Sequence, residues 1–305
     1  MTRAFACINQ NIDIRKKSSS GGIFYLFAED VIKNGGIVFG ARYNKSFQVI
    51  HDYCEKQEGL SAFMTSKYVQ SRIGDSFISA KTFLEKKRTV LFSGTPCQIN
   101  GLVSYLGKKY ENCENLILID IVCHGVPSPL IWKLYLDQIA DNKEITAVNF
   151  RDKSNGWKNY SLNIHFSDNS CYKKDKEKDL YIRGYLKDLY LRPSCYECRF
   201  KGIDRISDIT LADFWHSRSV IPELPDDDLG ISLVLIHNQK GLKQLKIVSS
   251  SLFVKEVDPI EALQFNSAAT VSAIKPTTRD SFFSELKAFS ESQQCKDFLF
   301  EILDK

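Results

Sequence analysis

Long apolar runs are missing from this 305-residue chain: none reaches membrane-spanning length, and polar and charged side chains interrupt Met1 to Lys17 where a signal peptide would need an apolar core. A dominant charge is missing too, since 41 Lys and Arg against 37 Asp and Glu leave only +4. The basic runs are short or mixed. Lys86-Lys87-Arg88 precedes an apolar strand and residues 173–179 alternate in sign, so both read as solvated surface and no nucleic-acid partner is expected. There is no internal repeat and no low-complexity linker, which excludes fibrous and disordered classes. An even cysteine count is also absent: nine cysteines cannot complete a disulfide framework. The expected setting is the cytoplasm, without a membrane span, where close cysteine pairs more often hold metal or do redox work.

What is present is an alternation of helical and strand patterns. Ile23, Phe24, Leu26, Phe27, Val31 and Ile32 have helical spacing and stop at Asn34-Gly35-Gly36; a strand follows at Ile37 to Ala41. A helix over Phe77 to Lys87 leads into the strand Thr89 to Phe92. Thr95 then reads as an N-cap, Pro96 as the first helical residue and Gly107 as the stop. Leu116 to Val122 is almost continuously apolar, as a parallel strand covered on both faces should be. Ser128-Pro129 starts another helix through Ile139. Ile145 to Phe150, Ser161 to Phe166 and Cys171-Tyr172 read as antiparallel, with a turn at Ser167-Asp168-Asn169. Strands at Asp208 to Phe214 and Ile231 to His237, with helices at Leu242 to Val248 and Phe282 to Leu303, complete the chain. The expected class is α/β, mixed with α+β: a parallel or mixed sheet with helices on its faces plus an antiparallel hairpin region. A soft boundary near residue 93 divides it into 1–93 and 94–305.

Cys195-Tyr196-Glu197-Cys198 is the one close cysteine pair, set in a turn-prone polar stretch. Alone it fits zinc, a redox dithiol or an iron-sulfur cluster. Cys97 and Cys123 lie just beyond the carboxyl ends of two predicted strands, the rim where open parallel sheets bind ligands. Cys97 also falls in a first helical turn, where the helix dipole favours a thiolate. Four sulfurs from three segments could converge on one centre. Cys7, Cys54, Cys113, Cys171 and Cys295 lack flanking turn chemistry and read as plain structural residues, with Cys54 and Cys113 in polar loops. Ser18-Ser19-Ser20-Gly21-Gly22 offers hydroxyls, open backbone N–H groups and a helix start, which suit a phosphate or a simple cap. Lys67, Tyr68 and Gln70 supply a cation, an aromatic face and an amide.

Six ordered blocks between residues 17 and 240 resemble the coenzyme F420 hydrogenase/dehydrogenase beta-subunit family. They are Lys17 to Phe24, Ser66 to Ser71, Phe92 to Gln98, Val122 to Pro127, Phe150-Arg151-Asp152-Lys153 with Gly156-Trp157, and Leu191 to Cys195 running on through Ser207 to Trp215. The resemblance implies a 4Fe-4S cluster, FAD, and an oxidoreductase passing electrons between the cluster and a small-molecule redox substrate by way of the flavin. By it, Cys97, Cys123, Cys195 and Cys198 look like cluster ligands, and Ser19, Ser20, Gly21, Gly22, Lys67, Tyr68 and Gln70 look like flavin contacts. Many relatives carry a cysteine-rich ferredoxin-like segment ahead of the serine-glycine motif, where only Cys7 stands here. A separate ferredoxin-like carrier or subunit is therefore the expected partner, steered to a loop made basic by Arg192, Arg199 and Lys201. Relatives often have glycine where His216 stands. The rival readings are a zinc-stapled binding protein and a redox-inactive accessory of a glycan-assembly pathway.

Overall fold

The structure, a computed structural model, describes residues 2–110, 112–225, 227–292 and Leu303. The first half runs β1 (Arg3–Asn9), α1 (Ile12–Lys17), α2 (Ile23–Lys33), β2 (Ile37–Tyr43), β3 (Val49–Cys54), α3 (Ser76–Glu85), β4 (Val90–Gly94), α4 (Pro96–Leu106) and β5 (Leu116–Ile121). It continues through α5 (Pro129–Ala140), β6 (Ile145–Asp152), β7 (Ser161–Phe166), β8 (Cys171–Asp175), α6 (Leu180–Leu186) and β9 (Ile209–Asp213). The last part holds α7 (Ser217–Val220), β10 (Ser232–Ile236), α8 (Gln239–Val248), β11 (Leu252–Val257), α9 (Pro259–Leu263) and α10 (Arg279–Ser292).

Among the described residues, eight strands form one mixed sheet in the order β11-β1-β10-β9-β5-β4-β2-β3. β2, β4, β5 and β9 are parallel neighbours, and the other pairings are antiparallel. The apolar run of β5 is explained by its place between β4 and β9, where Leu116 to Asp120 are all buried. Its register sets Gly94 beside Asp120 and Ile121 beside Leu211, so the carboxyl ends of β4, β5 and β9 share one rim. Residue 93, the expected soft boundary, lies within β4.

A second sheet, β6-β7-β8, is antiparallel, and its turn carries Asn169 at φ 66°. Phe150 and Leu162 of this sheet pack with Trp132 and Tyr135 of α5 and Tyr181 of α6 in one apolar cluster. α4 begins with the capping box that Thr95 and Gln98 form, has Pro96 in its first turn, and stops at Gly107.

Three elements depart from the sequence expectations. The polar-looking N-terminus is β1, with Ala4 to Asn9 buried between β10 and β11. Cys54 ends the edge strand β3 instead of lying in a loop. The last helix is seen over Arg279–Ser292; most of its expected continuation, with Cys295, lies outside the described residues. Among the described residues no helix is long and apolar enough to cross a membrane.

Candidate functional site

A cavity of about 450 Å³ opens at the shared rim, between the ends of β4, β5 and β9 and the start of α2. Its size falls within the roughly 300–1,000 Å³ usual for small-molecule sites. Ser19, Ser20, Gly22, Lys67, Tyr68 and Cys123 line it; Gly21 and Gln70 do not.

The serine-glycine loop is held mostly from behind. Ser20 donates to Ile231 O at 2.9 Å, and Ser19 Oγ accepts from Ser66 N at 2.7 Å. The Lys153 ammonium gathers Arg15 O, Leu229 O and Ser20 O at 2.7, 2.7 and 3.2 Å. Gly21 is needed for contact between backbones: a Cβ there would stand 2.7 Å from both Cys7 O and Ser232 N. Gly21, expected as a flavin contact, packs against β1 and β10 and does not line the cavity. Gly22 does face the cavity. At φ 80° it starts α2 without any side-chain cap, which leaves the first-turn N–H groups for a ligand.

Lys67 is half-buried and donates to Thr65 O at 2.7 Å, and no carboxylate is paired with it among the described residues. Burial lowers its pKa to about 7. Tyr68 stacks on Tyr185 at 4.8 Å and its hydroxyl accepts from Arg151 at 3.1 Å. Gln70 instead ties its N–H to Pro127 O at 3.0 Å, away from the cavity.

Sequence reasoning assigned no role to Arg151, Asp213 or His51, though the first two sit in blocks that carry the family resemblance. Arg151 is buried, bridges Ser19 O at 3.1 Å to Asp213 at 2.8 Å, and lies over the Tyr160 ring at 4.3 Å. Asp213 also accepts from Trp157, which stacks on Trp215 at 4.3 Å. His51 is buried; its Nε2 stands 2.7 Å from Ser93 O and must carry the proton there. Nδ1 accepts from Ser71 at 3.0 Å, and Ser71 accepts from Gln98 at 2.8 Å. Burial pulls the imidazole down to about 4, partly offset by the Ser93 carbonyl. Through Gln98 this run of hydrogen bonds reaches the capping box of α4, the helix that bears Cys97.

The four cysteines come from three segments. Cys97 is exposed in the first turn of α4, with Thr95 Oγ1 at 3.1 Å from its sulfur. Cys123 follows β5; burial pushes its thiol up to about 12, with Lys201 opposing and the other three thiols adding. Cys195 closes a short turn through its N–H to Arg192 O at 2.8 Å, and Cys198 N donates to Ser272 Oγ at 3.0 Å. Gly125 lets the segments meet, since a Cβ there would stand 2.6 Å from Leu191 and 3.4 Å from Cys195. All four thiols are free, and the other three are within electrostatic reach of Cys123. Among the described residues no three His, Cys, Asp or Glu side chains converge as they would around a single ion. Lys201, expected to face a partner, is turned inward: its ammonium donates to Cys123 O at 2.5 Å and Ala268 O at 2.7 Å. Arg192 and Arg199 remain exposed.

The fold is thus a mixed α/β sheet with a cavity and four nearby cysteines at the carboxyl ends of its parallel strands. The chain belongs to the coenzyme F420 hydrogenase/dehydrogenase beta-subunit family: residues 87–261 match the carboxyl-terminal region of that family. It is similar in fold to a chain of the F420-reducing [NiFe] hydrogenase complex from Methanosarcina barkeri. That likeness has a TM-score of 0.54 at 14% identity and covers 99% of this chain and 88% of that one. No curated protein matches. Where relatives often have glycine, the backbone at His216 has φ 54°, the left-handed region that glycine enters freely.

Proposed function

We propose that the chain is an iron-sulfur flavoprotein oxidoreductase, with a 4Fe-4S cluster on Cys97, Cys123, Cys195 and Cys198 and FAD in the neighbouring cavity. The observation that carries this reading is the position of Cys123, which lines the cavity and also lies in electrostatic reach of the other three thiols. Short separation between two redox groups is what an electron relay needs. The donor set fits a cluster, because four thiolates bound to different irons stand further apart than ligands of one ion. The cavity fits a flavin, because it joins an uncapped helix start, a cation without a carboxylate and a stacked tyrosine.

When bound, the flavin would exchange single electrons on one side for a two-electron step on the other. The chain's own part is binding and orientation. The first-turn N–H groups of α2 and the Lys67 ammonium receive the anionic phosphates. Arg151, locked by Asp213, fixes the Ser19 carbonyl and the Tyr68 hydroxyl, and so sets the ring wall. His51, neutral and held at both nitrogens, keeps the cavity side of β3 in register with α4. An organic substrate approaches the open side, and a separate ferredoxin-like carrier meets the exposed Arg192 and Arg199 beside the cysteines. Anaerobic purification followed by iron, sulfide, zinc and flavin analysis tests the reading. Roughly four iron per chain and one flavin are expected; stoichiometric zinc without iron would overturn it.

A further inference from the structure

The ammonium of Lys201 sits where surface charge gives way to interior. It donates to Cys123 O and Ala268 O, and no carboxylate is paired with it among the described residues. Two carbonyls satisfy donors but leave the net charge in place, and a half-buried ammonium is less well solvated than one at the surface. The Cys123 carbonyl it holds belongs to one of the four cysteines, and Cys198 lies three residues earlier in the chain.

The neighbouring cation is committed elsewhere. Arg205 donates to Phe200 O at 2.7 Å, Gly202 O at 2.9 Å and Ala269 O at 3.1 Å, and stands 3.7 Å from the buried Asp120. It staples the loop, while its charge is answered by Asp120. Lys201 is therefore the fixed, unanswered positive charge on the inner side of the thiol set.

Resting on the cluster reading above, we infer that Lys201 is a positioning residue and the built-in counter-charge of the four-thiolate centre, setting its reduction potential. A fixed cation favours the more negative, reduced state, so it holds the potential higher than the thiolates alone would allow. It also links the strand end at Cys123 to the Ala268 turn, fixing one sulfur relative to the loop that carries two others.

The test compares Lys201→Arg with Lys201→Gln, which keeps a donor for the carbonyls and removes the charge. Iron content and the midpoint potential are measured by anaerobic spectroelectrochemistry. The expected result is near wild-type iron and potential in Lys201→Arg, and a shift to lower potential in Lys201→Gln. Iron lost in Lys201→Gln alone supports the same role, because charge is then required for assembly. An unmoved potential in iron-replete Lys201→Gln, or iron lost equally from both variants, overturns it. A wild-type protein without iron would sink the cluster reading itself, a separate outcome from either.

Discussion

On the serine-glycine side of the cavity the buried arginines have carboxylates of their own: Arg15 holds Asp227 at 2.5 Å and Arg151 holds Asp213 at 2.8 Å, while Lys153 holds only carbonyls. On the cysteine side Lys201 has only carbonyls, and the thiol of Cys123 is driven toward its neutral form by burial. The arginine pairs of the first wall are closed by the protein's own carboxylates. On the proposed cluster reading, the second wall would be balanced once its sulfurs are ionised and bound, since the half-buried Lys201 has no carboxylate partner among the described residues.

The sharpest break of that contrast is Cys198→Ser. Most of the iron should be lost, and amide hydrogen exchange should rise over residues 193–205 and 267–272, which Cys198, Ser272, Lys201 and Arg205 lace together. β1 and β10 should keep their protection. Equal loosening of both walls would mean that the serine-glycine side also depends on the metal.

The next effect is a pH dependence at His51, which lines the cavity from β3. The His51 pKa is about 4 when folded against an ordinary 6.5, so between these values the unfolded chain binds a proton that the folded chain does not. Stability should fall as pH drops from 6.5 toward 4, by up to roughly 3 kcal/mol for this group. The raised pKa of Asp120, about 6, works in the opposite direction over the same window. Denaturant titrations of wild type and His51→Gln at several pH values isolate the histidine: the variant should show the shallower acid slope, and parallel slopes would contradict the assignment.

Gly21→Ala should cost about 1–3 kcal/mol, as overpacking does, since its Cβ would meet Cys7 O and Ser232 N at 2.7 Å. Urea unfolding measures this, and iron per folded chain should not change. The smallest effect expected is at the surface of the cysteine side: Arg199→Glu should slow reduction by an acidic ferredoxin a few-fold at low salt, and high salt should erase the difference. Stopped-flow rates that ignore both would place carrier docking elsewhere.

Where structure depended on neighbours in sequence, it was legible. Thr95, Pro96 and Gly107 bound α4 because capping is chemistry within one turn, and the apolar run of β5 announced burial on both faces. The approach of Cys97 and Cys123 followed from two strands ending at one rim. β1 was not legible, because Arg3–Asn9 is a strand only through partners at residues 232–257. The inward turn of Lys201 and the reason for Gly21 were hidden likewise: each is explained by backbone atoms that only the tertiary fold brings near. The six family blocks held Arg151, Lys153 and Asp213 without revealing that these residues brace the loop of the first block.

The insertion of β1 between β10 and β11 also orders events in time during synthesis. β1 has to wait for Val257 before both of its edges are paired, and Gly21 finds Ser232 only in that same late step. Such long-range closure is slow, and until it happens a row of open strand edges is exposed. The serine-glycine loop is thus completed among the last parts of the sheet, once residues 232–257 have been made.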